Sequence, residues 1–286
     1  MNFAPLPISI SPERPDTPAT TRENRLIRAI EARHLPACAH VTAASPGIAD
    51  AYVEAYGIAR PRVVRNAFPR GQAPPASTAR GSAQPGPSVY WFSQVIGPDR
   101  GLECAVEAIG RAHTRPHLYL RGHIATGFLP RLHAIAARCG AAGHLHILAP
   151  DEPDRMERLA AGYDVGLACE PAHTRNSDIL LSNKLFTYLL AGLPAIMSAT
   201  SAQRAFAAET GTSAQLYPIG DAVALAALID GLLADPARLA AARAHAWRLG
   251  QETYNWETES RALVDTVGRS LAITPRGLAA NIVGAA

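Results

Sequence analysis

Two cations stand where helix electrostatics disfavours them, and both places suit a bound anion. Lys184 follows Leu181-Ser182-Asn183 and falls in the first turn of a helical run that stops at Gly192. The unpaired N–H groups of a first turn carry partial positive charge, so a lysine is out of place there unless a negative group is near. Arg100 sits at or just before the next helix start, at the end of the loop Gln94 to Gly101. Gly97 and Gly101 let the backbone of that loop approach a ligand closely. The chemistry on offer is an anion held between each cation and the N–H groups behind it. Two such starts in one array fit a diphosphate, with Arg100 and Lys184 neutralising charge on a leaving nucleotide and no metal required. No acidic pair stands at a strand end to hold Mg²⁺. The competing readings are an exposed Arg100 paired with Asp99, and a solvated polar face around Lys184.

The helix from Ser182 sharpens the second position. Ser182 is placed as its N-cap, and Gly192 with Pro194 as its stop. At about 100° per residue, Asn183, Lys184 and Thr187 share one face and are predicted to point at the strand-end crevice. Leu185, Phe186, Leu189 and Leu190 share the other, the expected core stripe.

The elements that must position these residues are legible from the alternation of patterns after residue 88. Strand-like and helix-like runs follow one another six times, from VYWFSQ with GLECAVEAIGRA to AQLYPIG with DAVALAALIDGLLAD. Such repetition with short connections predicts an α/β fold, a Rossmann-like doubly wound parallel sheet. Ligands then bind outside the carboxyl ends of the strands. Ahead of it, residues 1–20 are predicted to be a poorly ordered, proline-rich leader, and 21–69 a short helical segment. In the latter, Ser45-Pro46 opens a helix that ends near Gly57. Residues 70–88, rich in Gly, Pro, Ser and Ala, are a linker. The Rossmann-like domain takes 89–250, and 251–286 a closing helix and tail.

Composition narrows the function classes. A net charge of +3 on 286 residues is too weak and dispersed to argue for nucleic acid. No apolar run approaches the roughly 20 residues of a spanning helix, and the first residues lack a basic stretch followed by an apolar core. The four cysteines have no metal-clamp spacing and read as reduced thiols of a cytoplasmic protein. His144 and His146 alternate on one strand, without a carboxylate at ligand spacing, and read as ordinary strand histidines. Glu152, Asp154 and Glu157 read as a solvated helix start. A Gly-x-Gly-x-x-Gly fingerprint, a P-loop lysine and a Gly-x-Ser-x-Gly elbow are all missing.

Taken with their order, several segments resemble the group 1 retaining glycosyltransferases. SNKLFTYLLAGLPAIMS resembles that family's NKLFEYLAAGLPVVAS element. WFSQVIGPDRGLECAVEAI is similar to its glycine- and lysine-containing loop and helix, with Arg100 in place of the lysine. YGIARPRVVRNAFP resembles the inter-domain stretch, and TYNWETESRALVDTV the closing helix. The resemblance runs from about residue 25 to 271 and implies the C-terminal, donor-binding half of a GT-B fold. It implies transfer of a sugar from a nucleotide-diphosphate donor with retention, with no metal or other cofactor. By matched position, Arg100 and Lys184 are the phosphate contacts and Ser93 and Gly97 lie in the phosphate-side loop. Pro150 and Asp151 lie near the base, and Thr187 stands where a ribose-holding glutamate is usual. The family's two glutamates, eight positions apart, fall at Ile179 and Thr187. Glu170 either approaches the sugar or simply ends its strand. Only the end of an acceptor-side domain is matched ahead of the linker. The expected partners are therefore a nucleotide sugar, an acceptor of unknown class, and a separate chain carrying an acceptor domain. A peripheral membrane contact stays open. The alternative is a non-catalytic, nucleotide-sugar-binding or partner-dependent module of the same fold.

Overall fold

The computed structural model describes residues 18–75, 84 and 86–270. Most of the expected leader, the middle of the linker and the tail beyond 270 lie outside the described residues.

The N-terminal unit opens with α1 (Pro18–His34), followed by a small parallel β-α-β unit. Strand β1 (Thr42–Ala43) pairs in parallel with β2 (Arg62–Val63), and α2 (Pro46–Tyr56) makes the crossover. The expected signals set the ends of α2. Ser45 accepts a hydrogen bond from the Ile48 N–H, Pro46 opens the first turn, and Gly57 closes the helix in the left-handed conformation. The strand β1 was not foreseen.

Six parallel strands form the main sheet: β3 (Ser88–Ile96), β4 (His117–Ile124), β5 (Leu145–Leu148), β6 (Val165–Ala168), β7 (Ala195–Ser198) and β8 (Ala214–Tyr217). Their order is β5-β4-β3-β6-β7-β8. The chain winds outward from β3 to one edge, returns to the centre, and winds outward to the other. This is the doubly wound order with its switch point between β3 and β6, where a crevice opens at the carboxyl ends.

Alternation along the strands splits the core in two. Val89 and Trp91 face α3 (Leu102–Arg111), α4 (Phe128–Arg138) and α9 (Ala222–Leu233). Tyr90, between them, faces the layer of α5 (Met156–Ala160), α7 (Asn183–Ala191), α8 (Ser201–Thr210) and α10 (Pro236–Glu252). Helix α6 (Arg175–Ile179) lies in the connection from β6 to α7. Helix α11 (Trp256–Ser270) returns to the N-terminal unit, where Glu259 accepts the Arg65 N–H at 2.9 Å and Glu257 accepts that of Arg70.

Helix α7 departs from expectation. Lys184 through Ala191 are all buried, so it has no solvated polar face. A helix covered all round must satisfy its polar side chains internally. Tyr188 does so by donating to the carbonyls of Leu167 and Tyr90, at 3.1 and 3.2 Å, where β6 and β3 diverge.

Candidate functional site

The site grows from two connections that meet at the switch point. Loop 97–101 leaves β3, and residues 169–182 leave β6. Asp99 takes φ 58° and Gly101 φ 68°, the left-handed region. Gly101 is required here twice over. A Cβ at this position would stand 2.2 Å from the Cys169 carbonyl oxygen, closer than any side chain permits. The buried Cys169 thiol donates in turn to the Arg100 carbonyl at 3.0 Å. These contacts pin the two connections together and bring Arg100 beside Glu170, Ser182 and Lys184.

Together they line a cavity of about 200 Å³, with Asp99, His173, Thr174 and Ser177 among its other walls. The Lys184 ammonium donates to Glu170 Oε1 and Ser182 Oγ, both at 3.1 Å. It also lies 5.4 Å from the centre of the Trp91 ring, whose face attracts a cation. Lys184 and Glu170 are each only 8% exposed. Burial alone would push the Glu170 carboxyl up, but the charge and hydrogen bond of Lys184, the charge of Arg100 and the Ser182 hydroxyl outweigh it. The group is held below the usual carboxylate range.

Arg100 is half-buried, and its guanidinium makes no hydrogen bond or ion pair among the described residues. The alternative pairing with Asp99 is not formed. Asp99 instead approaches His173, with Oδ1 3.7 Å from Nε2. No side chain caps the first turn of α3 or of α7. Both helix starts therefore stand near the cavity without a side-chain cap, beside one free and one paired cation.

Several expectations need correction. Ser182 occupies the N-cap position of α7 but does not cap it, because its hydroxyl is taken by Lys184. Asn183 is exposed and does not line the cavity. Thr187 is fully buried and donates to Glu157 Oε1 at 2.8 Å, so it faces α5 and not the crevice. Glu157 is likewise fully buried, and burial pushes its carboxyl up against the opposing pull of the Thr187 hydrogen bond. The solvated helix start expected around it is wrong at that residue. Ser93 and Gly97 lie on β3 and its loop, outside the cavity lining. Pro150 is exposed on the loop after β5, and Asp151 bonds Arg155 at 2.9 Å. The cation at the start of α7 is already answered by Glu170, so its place in the helix does not by itself require a bound anion.

Sequence reasoning considered Asp99 only as a partner for Arg100, and missed Trp91, His173, Thr174 and Ser177. The last two form a reciprocal capping box, Ser177 N–H to Thr174 Oγ1 and Thr174 N–H to Ser177 Oγ. The Thr-x-x-Ser spacing in HTRNSD was the available signal. The two strand histidines also gain a third: His117 Nδ1 lies 2.8 Å from His146 Nε2, and its ring stacks on His144. They lie at the amino end of the sheet, away from the cavity.

No protein-family model matches the chain, and no curated protein matches it. Solved structures do. Anabaena HepE, crystallised with UDP and glucose, is similar over 86% of this chain and 67% of its own, with a TM-score of 0.73 at 18% identity. Sucrose-phosphate synthase from Thermosynechococcus elongatus covers 87% of this chain and 62% of its own, with a TM-score of 0.72 at 18% identity. WaaG, a glycosyltransferase involved in lipopolysaccharide biosynthesis, covers 79% and 62%, with a TM-score of 0.60 at 14% identity. The chain thus spans about two thirds of the length of these structures. At such identities the likeness establishes architecture: the described residues have the α/β, Rossmann-like fold of one half of a GT-B structure, joined to a short helical N-terminal segment.

Proposed function

We propose that the crevice between β3 and β6 binds the diphosphate of a nucleotide sugar, and that the chain is the donor half of a glycosyltransferase. The observation that carries this is the meeting of Arg100 and Lys184 in one cavity, at the switch point, beside two uncapped helix starts. The HepE structures that resemble this chain hold UDP and UDP-glucose, which supports the same ligand class here. In transfer, the bond from the anomeric carbon to the diphosphate oxygen breaks and negative charge grows on the leaving group. Arg100, the N–H groups of α3 and α7, and Lys184 would stabilise it. Retention of configuration is carried by the family resemblance alone. Transfer would also require an acceptor-binding part to complete the crevice. Among the described residues no helix is long and apolar enough to cross a membrane.

The test is calorimetry of the full chain with UDP, GDP and ADP. Saturable binding at or below millimolar ligand is expected, weakened by about 1–3 kcal/mol in Arg100→Ala, the scale of a charge-assisted contact. No binding to any of the three removes the proposal. A second reading, binding without turnover, is favoured by two committed groups: Lys184 is held by Glu170, and Thr187 by Glu157. Release of UDP from UDP-sugars in the presence of acceptor sugars separates the two readings.

A further inference from the structure

One wall of the cavity leans on the N-terminal unit. Residues 169–182 connect β6 to α7, and Thr174, Ser177 and Leu180 of this connection line the cavity. Its only regular element, α6, has five residues. A helix that short has little stability of its own, so its position depends on its neighbours.

The first turn of α2 is the tightest of them. Ser45 is fully buried and donates to the Ile179 carbonyl at 2.7 Å while accepting from the Ile48 N–H at 3.2 Å. Gly47 lies so close that a Cβ there would stand 2.8 Å from Ile179 Cβ and 3.1 Å from its carbonyl oxygen. An ion pair between Arg175 and Glu54 crosses the same seam. Ile179 and Leu180 pack on the cluster around Ile48 and Tyr52. On the other flank, Ser201 of α8 donates its N–H and hydroxyl to Asp178, at 2.8 and 2.6 Å. Among the described residues, three non-glycine residues have positive φ; of these, Asp99 lines the cavity and Ala172 stands in sequence between two lining residues, Pro171 and His173. Such backbone persists only where the surroundings over-determine it.

We propose that Ser45 and Gly47 are positioning residues for the nucleotide site. The first turn of α2 fixes Ile179, Ile179 fixes α6, and α6 presents Thr174, Ser177 and Leu180 as the wall that encloses a diphosphate at Arg100 and Lys184. The N-terminal unit is then a working part of the donor site. This inference rests on the nucleotide reading above. Neither residue lines the cavity. When the wall is released, the binding-competent fraction falls and the apparent Kd rises in inverse proportion.

The experiment uses the full chain with UDP as probe. It compares the wild type with Ser45→Ala, Ser45→Thr and Gly47→Ala by calorimetry, thermal melting and tryptic cleavage after the exposed Arg175. Ser45→Ala removes the donor to Ile179, and Ser45→Thr restores a hydroxyl. Gly47→Ala separates positioning from folding, because alanine favours the α2 helix over glycine yet forces Ile179 to move. The expected result is UDP binding weakened about five- to tenfold in Ser45→Ala and Gly47→Ala. Ser45→Thr returns toward wild type, Gly47→Ala melts no lower, and Arg175 is cleaved faster in both weakened variants. Wild-type UDP affinity in Ser45→Ala and Gly47→Ala overturns the proposal. If the wild type binds GDP or ADP in place of UDP, that nucleotide becomes the probe; if it binds none of the three, the nucleotide reading fails separately. Cleavage at Arg175 then decides the clamp: faster cleavage in Gly47→Ala supports it, and an unchanged rate overturns it.

Discussion

Replacing Lys184 by methionine should invert the pH dependence of stability that Glu170 imposes. In the wild type the Glu170 carboxyl is held below its unfolded value, which is near 4.3. A group depressed by folding contributes stability that is present above the unfolded pKa and is lost as pH falls through the folded one. Methionine fills the lysine's volume without its charge and removes the strongest partner. The carboxylate is then buried at 8% exposure with only Ser182 and the more distant charge of Arg100 to answer it. Removing one partner of a buried pair costs about 3–5 kcal/mol near neutral pH. Burial now dominates, and the carboxyl rises above its unfolded value. The sign reverses: the variant gains stability as pH falls from 7 toward the unfolded pKa, while the wild type holds steady and then loses it. Urea unfolding of both proteins at intervals from pH 4.5 to 8 reads this directly. Adding Glu170→Gln to Lys184→Met should recover most of the loss and remove the pH slope, because no charge then remains to be buried. A Lys184→Met protein as stable as wild type at pH 7, or one with the wild-type slope, would refute the view of a buried, mutually dependent pair.

Other expectations follow from the same contacts. Arg100→Ala should leave stability within about 0.5 kcal/mol, since its guanidinium has no bonded partner among the described residues, while salt weakens UDP binding less steeply than in wild type; melting and calorimetry at two ionic strengths check both. Glu157→Gln should equal or exceed wild-type stability at pH 7, because burial raises this carboxyl and an amide keeps an acceptor for the Thr187 hydroxyl. Thr187→Val should instead lose about 1–3 kcal/mol by stranding Glu157, as read by urea unfolding. Burial and His144 hold His146 low, and burial with both neighbours holds His117 low. Their contribution is complete above the unfolded value near 6.5 and is lost as pH falls through the folded pKa values, so His146→Gln should flatten the melting-temperature decline below pH 6.5.

What the sequence disclosed follows from how local each feature is. The six βα pairs were visible because their periodicity and their glycine and proline stops are written within each segment, as at Gly192 after α7 and Gly57 after α2. The strand-end loops followed from that order, so Arg100, Lys184 and Ser182 were singled out before their geometry was known, while Glu170 was left between approaching a sugar and ending its strand. The two-residue β1 has too little length to show a period. Five-residue α6 shares that difficulty and is held by contacts from α2 and α8. Thr187 was misjudged because angular position on a helix says which side chains align, not what lies opposite them. Here the opposite group is Glu157, 30 residues earlier, brought in by α5. Asn183 shares the angle and meets solvent.

The pairing of Lys184 with Glu170 changes how the cation at the start of α7 must be understood. A lysine opposed to the helix dipole calls for a negative group, and the chain supplies one from the end of β6. This internal carboxylate holds the lysine in place when no ligand is bound, at the cost of competing with any phosphate that arrives. Arg100 has no such occupant, and it adds its charge to the same cavity without spending it on a bond. A diphosphate entering there would first meet Arg100 and the uncapped turn of α3, and only then draw Lys184 from Glu170. The affinity should accordingly depend more on Arg100 than on Lys184, although Lys184 is the deeper of the two. Glu170→Gln tests the ordering on its own. It removes the competitor while leaving an acceptor for the ammonium, so UDP should bind about tenfold or more tightly if Lys184 must change partners. Unchanged affinity would mean that Lys184 stays with residue 170 and serves the fold alone.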